Sequence, residues 1–415
     1  MMVNEFKIPW AIWREPELLE LTFPKAWDIK LFNMNGAGVS ELSKDEIRDS
    51  ILNPISSSKI SELANGKENV VIVVDDITRP TQISKILPHV LDELKVANIN
   101  SEQITILLAI GAHRPMNRQD CIFKLGIDIV NEFRIENHHP YENLKYYGES
   151  KIGTPIFLNE TYANADLKIA IGGVIPHPLA GFGGGAKIVL PGVCGIDTLE
   201  ANHKDKGGGI GKITGVRHDI EDIAEKVGLD FSINVIFSET GGIAKIFSGH
   251  FKDAHRKAMG FGTQCYATNI TLNNQIAFFN SYPEDSELNQ AQYKAFNFLM
   301  TAPANFLDEN GVIVIMTSSH EGRGYHSLVG ETGSRLYKNI GDTPFWKYFI
   351  KERDVYLFSP NVNEKDKDHY FPKSVKLFNK WDELIQELLK NYGGGIKVAI
   401  VPTSIQLARQ SNKNL

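Results

Sequence analysis

An α/β fold of two α/β domains is predicted by three features of the chain. Short β-branched runs alternate with helix-length amphipathic patterns, the signature of parallel βαβ units. Each of three polar motifs follows directly on one of those runs. A second alternation of the same kind starts near residue 275.

The elements follow in order. Residues 70–74, VVIVV, form a buried strand by composition, and the motif Asp75-Asp76-Ile77-Thr78-Arg79-Pro80-Thr81 ends it. A helix is expected over 83–97. Residues 103–108 form the next strand, ending at Gly111-Ala112-His113-Arg114-Pro115. Residues 166–171 form another, ending at Gly172-Gly173 before a long loop that opens at His177. Open α/β sheets bind ligands outside the carboxyl ends of their strands, so the three motifs are expected on one ligand-binding edge of a mostly parallel, Rossmann-like sheet. Further on, a helix is expected over 286–300 and strands over 311–316, 354–358 and 397–401, with 363–373 as an exposed loop. No internal repeat or low-complexity tract stands out.

The bulk numbers set limits. The chain has 415 residues, room for two or three domains, with 42% hydrophobic and 23% charged residues. Net charge is -6 and the pI about 6.1, which argues against a nucleic-acid binder. Cys121, Cys194 and Cys265 are odd in number and widely spaced, so neither a disulfide framework nor a zinc knuckle follows. A reducing cytoplasm is the expected compartment. The first residues carry acids where a signal peptide needs an apolar run, and no window reaches 18 apolar residues. Neither an export signal nor a membrane partner is expected.

The segment His177–His203, HPLAGFGGGAKIVLPGVCGIDTLEANH, is the most informative part of the chain. Four glycines in five positions, Gly181, Gly183, Gly184 and Gly185, need a reason, and close approach of backbone to a ligand is the usual one. Lys187 follows, with Ile188-Val189-Leu190 after it. A lysine among apolar neighbours can lose its charge and act as a nucleophile. The loop formally matches G-x-G-x-x-A, but Pro176 and Pro178 precede it and Pro191 follows. No dinucleotide-binding helix is expected to start there. Ala186-Lys187-Ile188 also lacks the Lys-Ser/Thr of a Walker A loop.

His203 is expected near the end of a short helix, with Asp197 as its cap, Glu200 completing a capping box, and Gly207-Gly208-Gly209 ending it. No HxxxH or HExxH accompanies it, so a metal held there takes its other ligands mostly from a cofactor. His113 and His177 both follow strands and neighbour prolines; two imidazoles facing one substrate suit acid/base work near pH 7. Arg79 and Arg114 can hold a carboxylate or phosphate, or pair locally with Asp75 or Asp76. Gln290 and Lys294, one helical turn apart, can clamp a substrate carboxylate or simply mark an exposed face.

The set DDITRPT, GAHRP and HPLAGFGGGAK with the following His203 resembles the nickel-dependent lactate racemase family, over most of the chain and most closely in 70–250. The resemblance implies a nickel-pincer nucleotide, a pyridinium mononucleotide held covalently on Lys187 through a thioamide, with His203 as the protein's ligand to nickel. It implies His113 and His177 as the acid/base pair. Asp76, Ile77, Thr78 and Arg79, with Gly183, Gly184 and Gly185, would contact the cofactor. Arg79, Gln290 and Lys294 would contact the substrate.

The implied reaction is racemisation or epimerisation of a 2-hydroxy acid at Cα by reversible hydride transfer. The implied partners are the small-molecule substrate and separate cofactor-maturation enzymes. The family's lactate-specific members carry a glutamine and a lysine three apart; here Gln290 and Lys294 are four apart, which leaves larger acids, malate-like or sugar acids, open. The alternatives on this scaffold are a hydroxy-acid dehydrogenase and a non-catalytic nucleotide-binding protein. The implied domains are 1–270 with 397–415, carrying cofactor and catalysis, and a smaller 275–396 domain closing over the substrate across a cleft.

Overall fold

Six successive residues of the strand Val70–Asp75 are buried. Side chains alternate between the faces of a strand, so burial at every position means that both faces are covered, as in parallel α/β sheets. Each buried Val or Ile in such a strand contributes about 1.5–3 kcal/mol. The computed structural model describes residues 3–204, 207–330 and 353–409, together with Leu336, Thr343, Trp346 and Ile350. It divides into two compact units, Gly38–Thr263 and Met1–Ala37 with Gln264–Leu415.

In the unit Gly38–Thr263 the six-stranded sheet runs, in spatial order, Ile243–Gly249, Phe231–Phe237, Leu167–Gly173, Val70–Asp75, Ile104–Ala109, Arg134–Asn137. Only the pairing of Phe231–Phe237 with Ile243–Gly249 is antiparallel. The chain moves outward from Val70–Asp75 in one direction, returns, and builds in the other from Leu167–Gly173. The strand order therefore reverses between these two, which places a ligand crevice at their carboxyl ends. The helix Ile83–Val96 buries Ile83, Ile86, Leu87, Val90 and Leu94, the 3.6-residue stripe that faces a core.

The other unit holds a second six-stranded sheet: Lys376–Phe378, Asp354–Phe358, Leu307–Met316, Asn274–Asn280, Lys397–Val401, Asp28–Leu31. Every pairing is parallel. This corrects the expected domain boundaries. Lys397–Val401 does not return to the first sheet; Val398, Ala399 and Ile400 pair with Ile276, Ala277 and Phe278. Residues 28–31 then add an edge strand beside them. Both chain ends thus belong with 264–409, because strand pairing between distant segments, rather than continuity along the chain, decides membership.

Two local expectations also change. The helix expected over 286–300 is two pieces, Leu288–Lys294 and Asn297–Thr301. The expected loop 363–373 contains the helix Glu364–Tyr370, capped by Asn363, whose side chain accepts from the Asp366 amide, with Lys367 and Tyr370 buried. No described helix is long and apolar enough to cross a membrane.

Candidate active site

The strand Val70–Asp75 ends in two acids with different tasks. Asp75 Oδ2 accepts from Thr81 Oγ1 at 2.5 Å and from the Gly173 amide at 3.0 Å, joining the ends of the two strands that flank the reversal. Its Oδ1 lies 2.8 Å from Nζ of Lys124. That lysine is fully buried, and its Nζ also donates to the Arg79 carbonyl at 2.8 Å. Burial lowers the Lys124 pKa and the Asp75 charge opposes the shift. Nothing local in the sequence marks Lys124 as the partner of Asp75, 49 residues away.

Asp76 faces the histidine motif. Its Oδ1 accepts from the Thr78 amide at 2.7 Å and from Thr78 Oγ1 at 2.5 Å. Its Oδ2 lies 2.7 Å from Nδ1 of His113. Burial alone would raise the Asp76 pKa, but the charge and hydrogen bond of His113, with Arg79 and Thr78 behind them, hold it well below the carboxylate range. A carboxylate only accepts, so Nδ1 of His113 carries a proton and the neutral ring has its lone pair on Nε2. Arg79 is braced by its neighbour, Nη1 donating to Thr78 Oγ1 at 3.0 Å. Arg114 pairs with Asp120 at 2.6 Å.

His177 lies across the reversal, after Leu167–Gly173. Its Nδ1 accepts from the amides of Leu179 at 3.2 Å and Ala180 at 3.1 Å. The neutral ring therefore holds its proton on Nε2, the opposite tautomer to His113.

The glycines that follow serve the protein's own packing. Gly181, Gly184 and Gly185 have φ of +76°, +71° and +56°, which L side chains rarely adopt. A Cβ on Gly181 would meet the Lys212 carbonyl at 1.7 Å, and one on Gly185 the His255 ring at 2.9 Å. These glycines thus have a steric reason within the fold, beside the approach of a ligand expected from the sequence.

Three side chains hold this loop in place. Arg217, fully buried on the helix Gly215–Val227, donates to the carbonyls of Ala180, Phe182 and Gly184. Burial lowers its pKa to about 10. His255 Nε2 bonds the Gly183 carbonyl at 2.7 Å, and burial, with the Arg217 charge beside it, pushes its pKa well down. Asn234 Oδ1 accepts from the Gly185 amide at 2.8 Å. None of these three stands near a motif in sequence, and no sequence signal singles them out.

Lys187 sits half-buried in a short 3-10 helix, Gly185–Ile188, consistent with the expectation that no ordinary helix starts there. His203 is the last residue of the helix Ile196–His203. The residue at its N-cap is Gly195, with no side-chain cap. The expected Asp197 cap is displaced because the helix begins one residue before it, and the helix ends at His203 rather than at Gly207.

His203 Nδ1 lies 2.8 Å from the Leu199 carbonyl. A carbonyl only accepts, so Nδ1–H donates and the lone pair falls on Nε2, the usual arrangement of a metal-binding imidazole. Among the described residues no group of three or more His, Cys, Asp or Glu could hold a metal ion. The Nε2 lone pair makes His203 able to serve as one ligand to a metal.

Gln290 and Lys294 belong to the other unit, on the helix Leu288–Lys294. They are not an exposed face. Gln290 is buried, and Lys294 Nζ lies 2.6 Å from Glu284 in a buried ion pair.

Residues 15–208 match the lactate racemase N-terminal domain. The lactate racemase of Lactiplantibacillus plantarum is 31% identical over 402 residues, 91% of this chain and 93% of that one. The lactate racemase of Thermoanaerobacterium thermosaccharolyticum is 30% identical over 314 residues, 73% of this chain and 71% of that one. The structure of the Thermoanaerobacterium apoprotein has the same fold, with a TM-score of 0.72 at 24% identity over 98% of this chain and 100% of that chain. A Thermotoga maritima crystal structure gives 0.66 at 20% identity, over 89% of this chain and 99% of that one. The α/β scaffold and these relatives define an isomerase. The chain belongs to the lactate racemase family.

Proposed function

We propose that the enzyme inverts the Cα configuration of a 2-hydroxy acid, lactate or a larger relative, with a nickel-pincer nucleotide joined to Lys187. The observation that carries this reading is the Asp76–His113 pair, 2.7 Å apart, beside the same strand reversal from which His177 and the Lys187 loop extend.

The residues divide the work. Asp76 holds the His113 ring with Nε2 as acceptor and stabilises the cation formed when that nitrogen takes the substrate's hydroxyl proton, the role of a carboxylate behind a histidine base. His177 is the donor in its cationic form, protonated at both nitrogens, which requires its Nδ1 to take up a proton and release the amides of Leu179 and Ala180. For the opposite enantiomer the roles reverse, the neutral His177 ring keeping its proton on Nδ1 and accepting at Nε2. Arg79 binds the substrate carboxylate, with Gln290 and Lys294 as further substrate contacts. When bound, the nucleotide supplies a reversible acceptor for the Cα hydride, a reaction that side chains alone do not provide. Lys187 carries it, His203 Nε2 binds its nickel, and residues 76–79 with Gly183, Gly184 and Gly185 line it. Cofactor-maturation enzymes load the protein, in a cytoplasm that keeps its three buried cysteines reduced.

The test is an enantiomer-resolved assay of holoenzyme on D- and L-lactate, malate and sugar acids. The expected result is convergence of either enantiomer on an even mixture. No inversion across the panel, with reduction of added nicotinamide dinucleotide instead, contradicts the reading in favour of a dehydrogenase.

A further inference from the structure

Lys124 is a fully buried charge that the proposed chemistry does not use. It lies on the helix Arg118–Leu125, 45 residues beyond Arg79. Burying a lysine with its countercharge is a poor way to gain stability. Desolvation of the two ions offsets their attraction, and well-packed apolar residues in their place are often as good. The reason for the charge lies in what its ammonium touches.

That ammonium grips both ends of one motif. Nζ lies 2.8 Å from Asp75 Oδ1 and donates to the Arg79 carbonyl at 2.8 Å. An ammonium has three donors and no acceptor, so it joins two oxygens that would otherwise repel. Between these ends, the Arg79 amide donates to the Asp76 carbonyl at 3.1 Å and the Thr78 amide to Asp76 Oδ1 at 2.7 Å. Pro80 comes next, and a proline restricts the backbone of the residue before it.

The backbone of Arg79 is therefore held at its amide by the turn, at its carbonyl by Lys124, and by the proline ring that follows. Its side chain is then braced on Thr78 Oγ1, 3.0 Å from Nη1. The amide, the proline and the threonine are neighbours in sequence. Lys124 brings in a distant helix and anchors the motif to the sheet, because the same Asp75 carboxylate accepts the Gly173 amide of the adjoining strand at 3.0 Å.

We propose that Lys124 is a positioning residue for Arg79. By clamping the Arg79 carbonyl to the Asp75 carboxylate, it fixes the direction in which the guanidinium leaves the turn, and so the place where a substrate carboxylate is met. Lys124, buried beneath the turn, acts through Arg79 and not on the substrate. This rests on the reading of Arg79 as the contact to the substrate carboxylate.

The test separates the clamp from the ion pair. Lys124→Met alone strands the Asp75 carboxylate and loses stability whatever else the lysine does. The informative comparison is Asp75→Asn against Asp75→Asn/Lys124→Met, which differ at Lys124 only. In the first, the asparagine oxygen can accept from Thr81 and Gly173. The lysine, its countercharge gone, becomes a neutral amine that still donates to the Arg79 carbonyl. In the second, that carbonyl loses this donor.

In holoenzyme assayed below both melting temperatures, KM for the hydroxy acid is expected to be about ten- to a hundredfold higher in the double variant, the effect of a displaced binding group. The kcat is expected to stay within about threefold, since a contact to the carboxylate is made equally before and during reaction. A lower melting temperature with an equal KM assigns Lys124 to the fold alone and overturns the proposal. Asp75→Asn/Lys124→Leu carries the same prediction should the methionine variant not fold.

Hydrogen exchange at the Thr78 and Arg79 amides of the apoprotein needs neither cofactor nor turnover. Exchange there is expected to be faster in the double variant than in Asp75→Asn, with the neighbouring strand Ile104–Ala109 unchanged. Equal exchange in the turn overturns the proposal. If the wild-type holoenzyme inverts no hydroxy acid, the racemase reading fails by itself, and the exchange still decides whether Lys124 holds Arg79.

Discussion

In residues 38–263 the strand order reverses between Val70–Asp75 and Leu167–Gly173; in the other unit it reverses between Asn274–Asn280 and Lys397–Val401. At the first reversal stand an acid-bound imidazole, a second imidazole of opposite tautomer and a lysine on a clamped glycine loop. At the second, the chain fills the place itself. Asn280 Nδ2 bridges the carbonyls of Pro9 and Pro402 at 2.7 and 2.9 Å. Asp285 accepts the amides of Ala11 and Ile12, and Glu284 is spent on Lys294. Topology marks both edges as places for a ligand, but only the residues decide whether one is wanted. The first edge carries the polar groups proposed for reaction, whereas at the second Asn280 and Asp285 hold backbone of the same unit.

That contrast gives opposite outcomes for two lysines. Lys187→Ala is expected to abolish inversion, at least about a thousandfold by assay of holoenzyme, with little change in denaturant midpoint. Lys294→Ala leaves Glu284 buried without its partner and is expected to cost about 3–5 kcal/mol in denaturant unfolding. If Lys187→Ala unfolds the protein and Lys294→Ala does not, the division of labour is reversed.

Within the first edge, Asp76→Asn frees the His113 ring to take the wrong tautomer. The expected loss is about 10²–10⁴-fold in kcat, with folding retained by circular dichroism; an unimpaired kcat removes Asp76 from the pair. Beneath it, Ile72→Ala in the centre of the strand, fully buried, is expected to cost about 2–5 kcal/mol by thermal or chemical unfolding.

Acid provides the mildest test. Burial pushes His138 down to about 4, although its bond to the Cys194 carbonyl works the other way. An unfolded histidine titrates near 6.5. The depressed group therefore leaves stability whole above about pH 6.5 and costs it progressively as pH falls toward about 4, a loss of about 3 kcal/mol. His138→Gln is expected to flatten unfolding free energy across that window. An unchanged slope assigns the loss to other groups, with His255, also pushed down by burial, the first to examine.

The placement of the polar motifs at strand ends in the first unit was legible in the sequence because it is local. A β-branched run followed by Asp-Asp, by His-Arg-Pro or by a glycine loop places each group at a strand end without knowledge of the fold. What binds those groups was not legible. Lys124 reaches Asp75 and the Arg79 carbonyl, while Arg217, Asn234 and His255 reach the glycine loop, from elements far along the chain. The same non-locality hid the membership of Lys397–Val401, which reads as a strand but not as a neighbour of Asn274–Asn280.

The central claim is that the first edge holds a lysine-linked, nickel-bearing nucleotide. Intact mass and bound nickel, measured on protein co-expressed with the cofactor-making enzymes, test it most directly. The account predicts a covalent mass increase that is absent from Lys187→Ala, and nickel that falls in His203→Ala. Protein of unmodified mass without nickel under those conditions would contradict it.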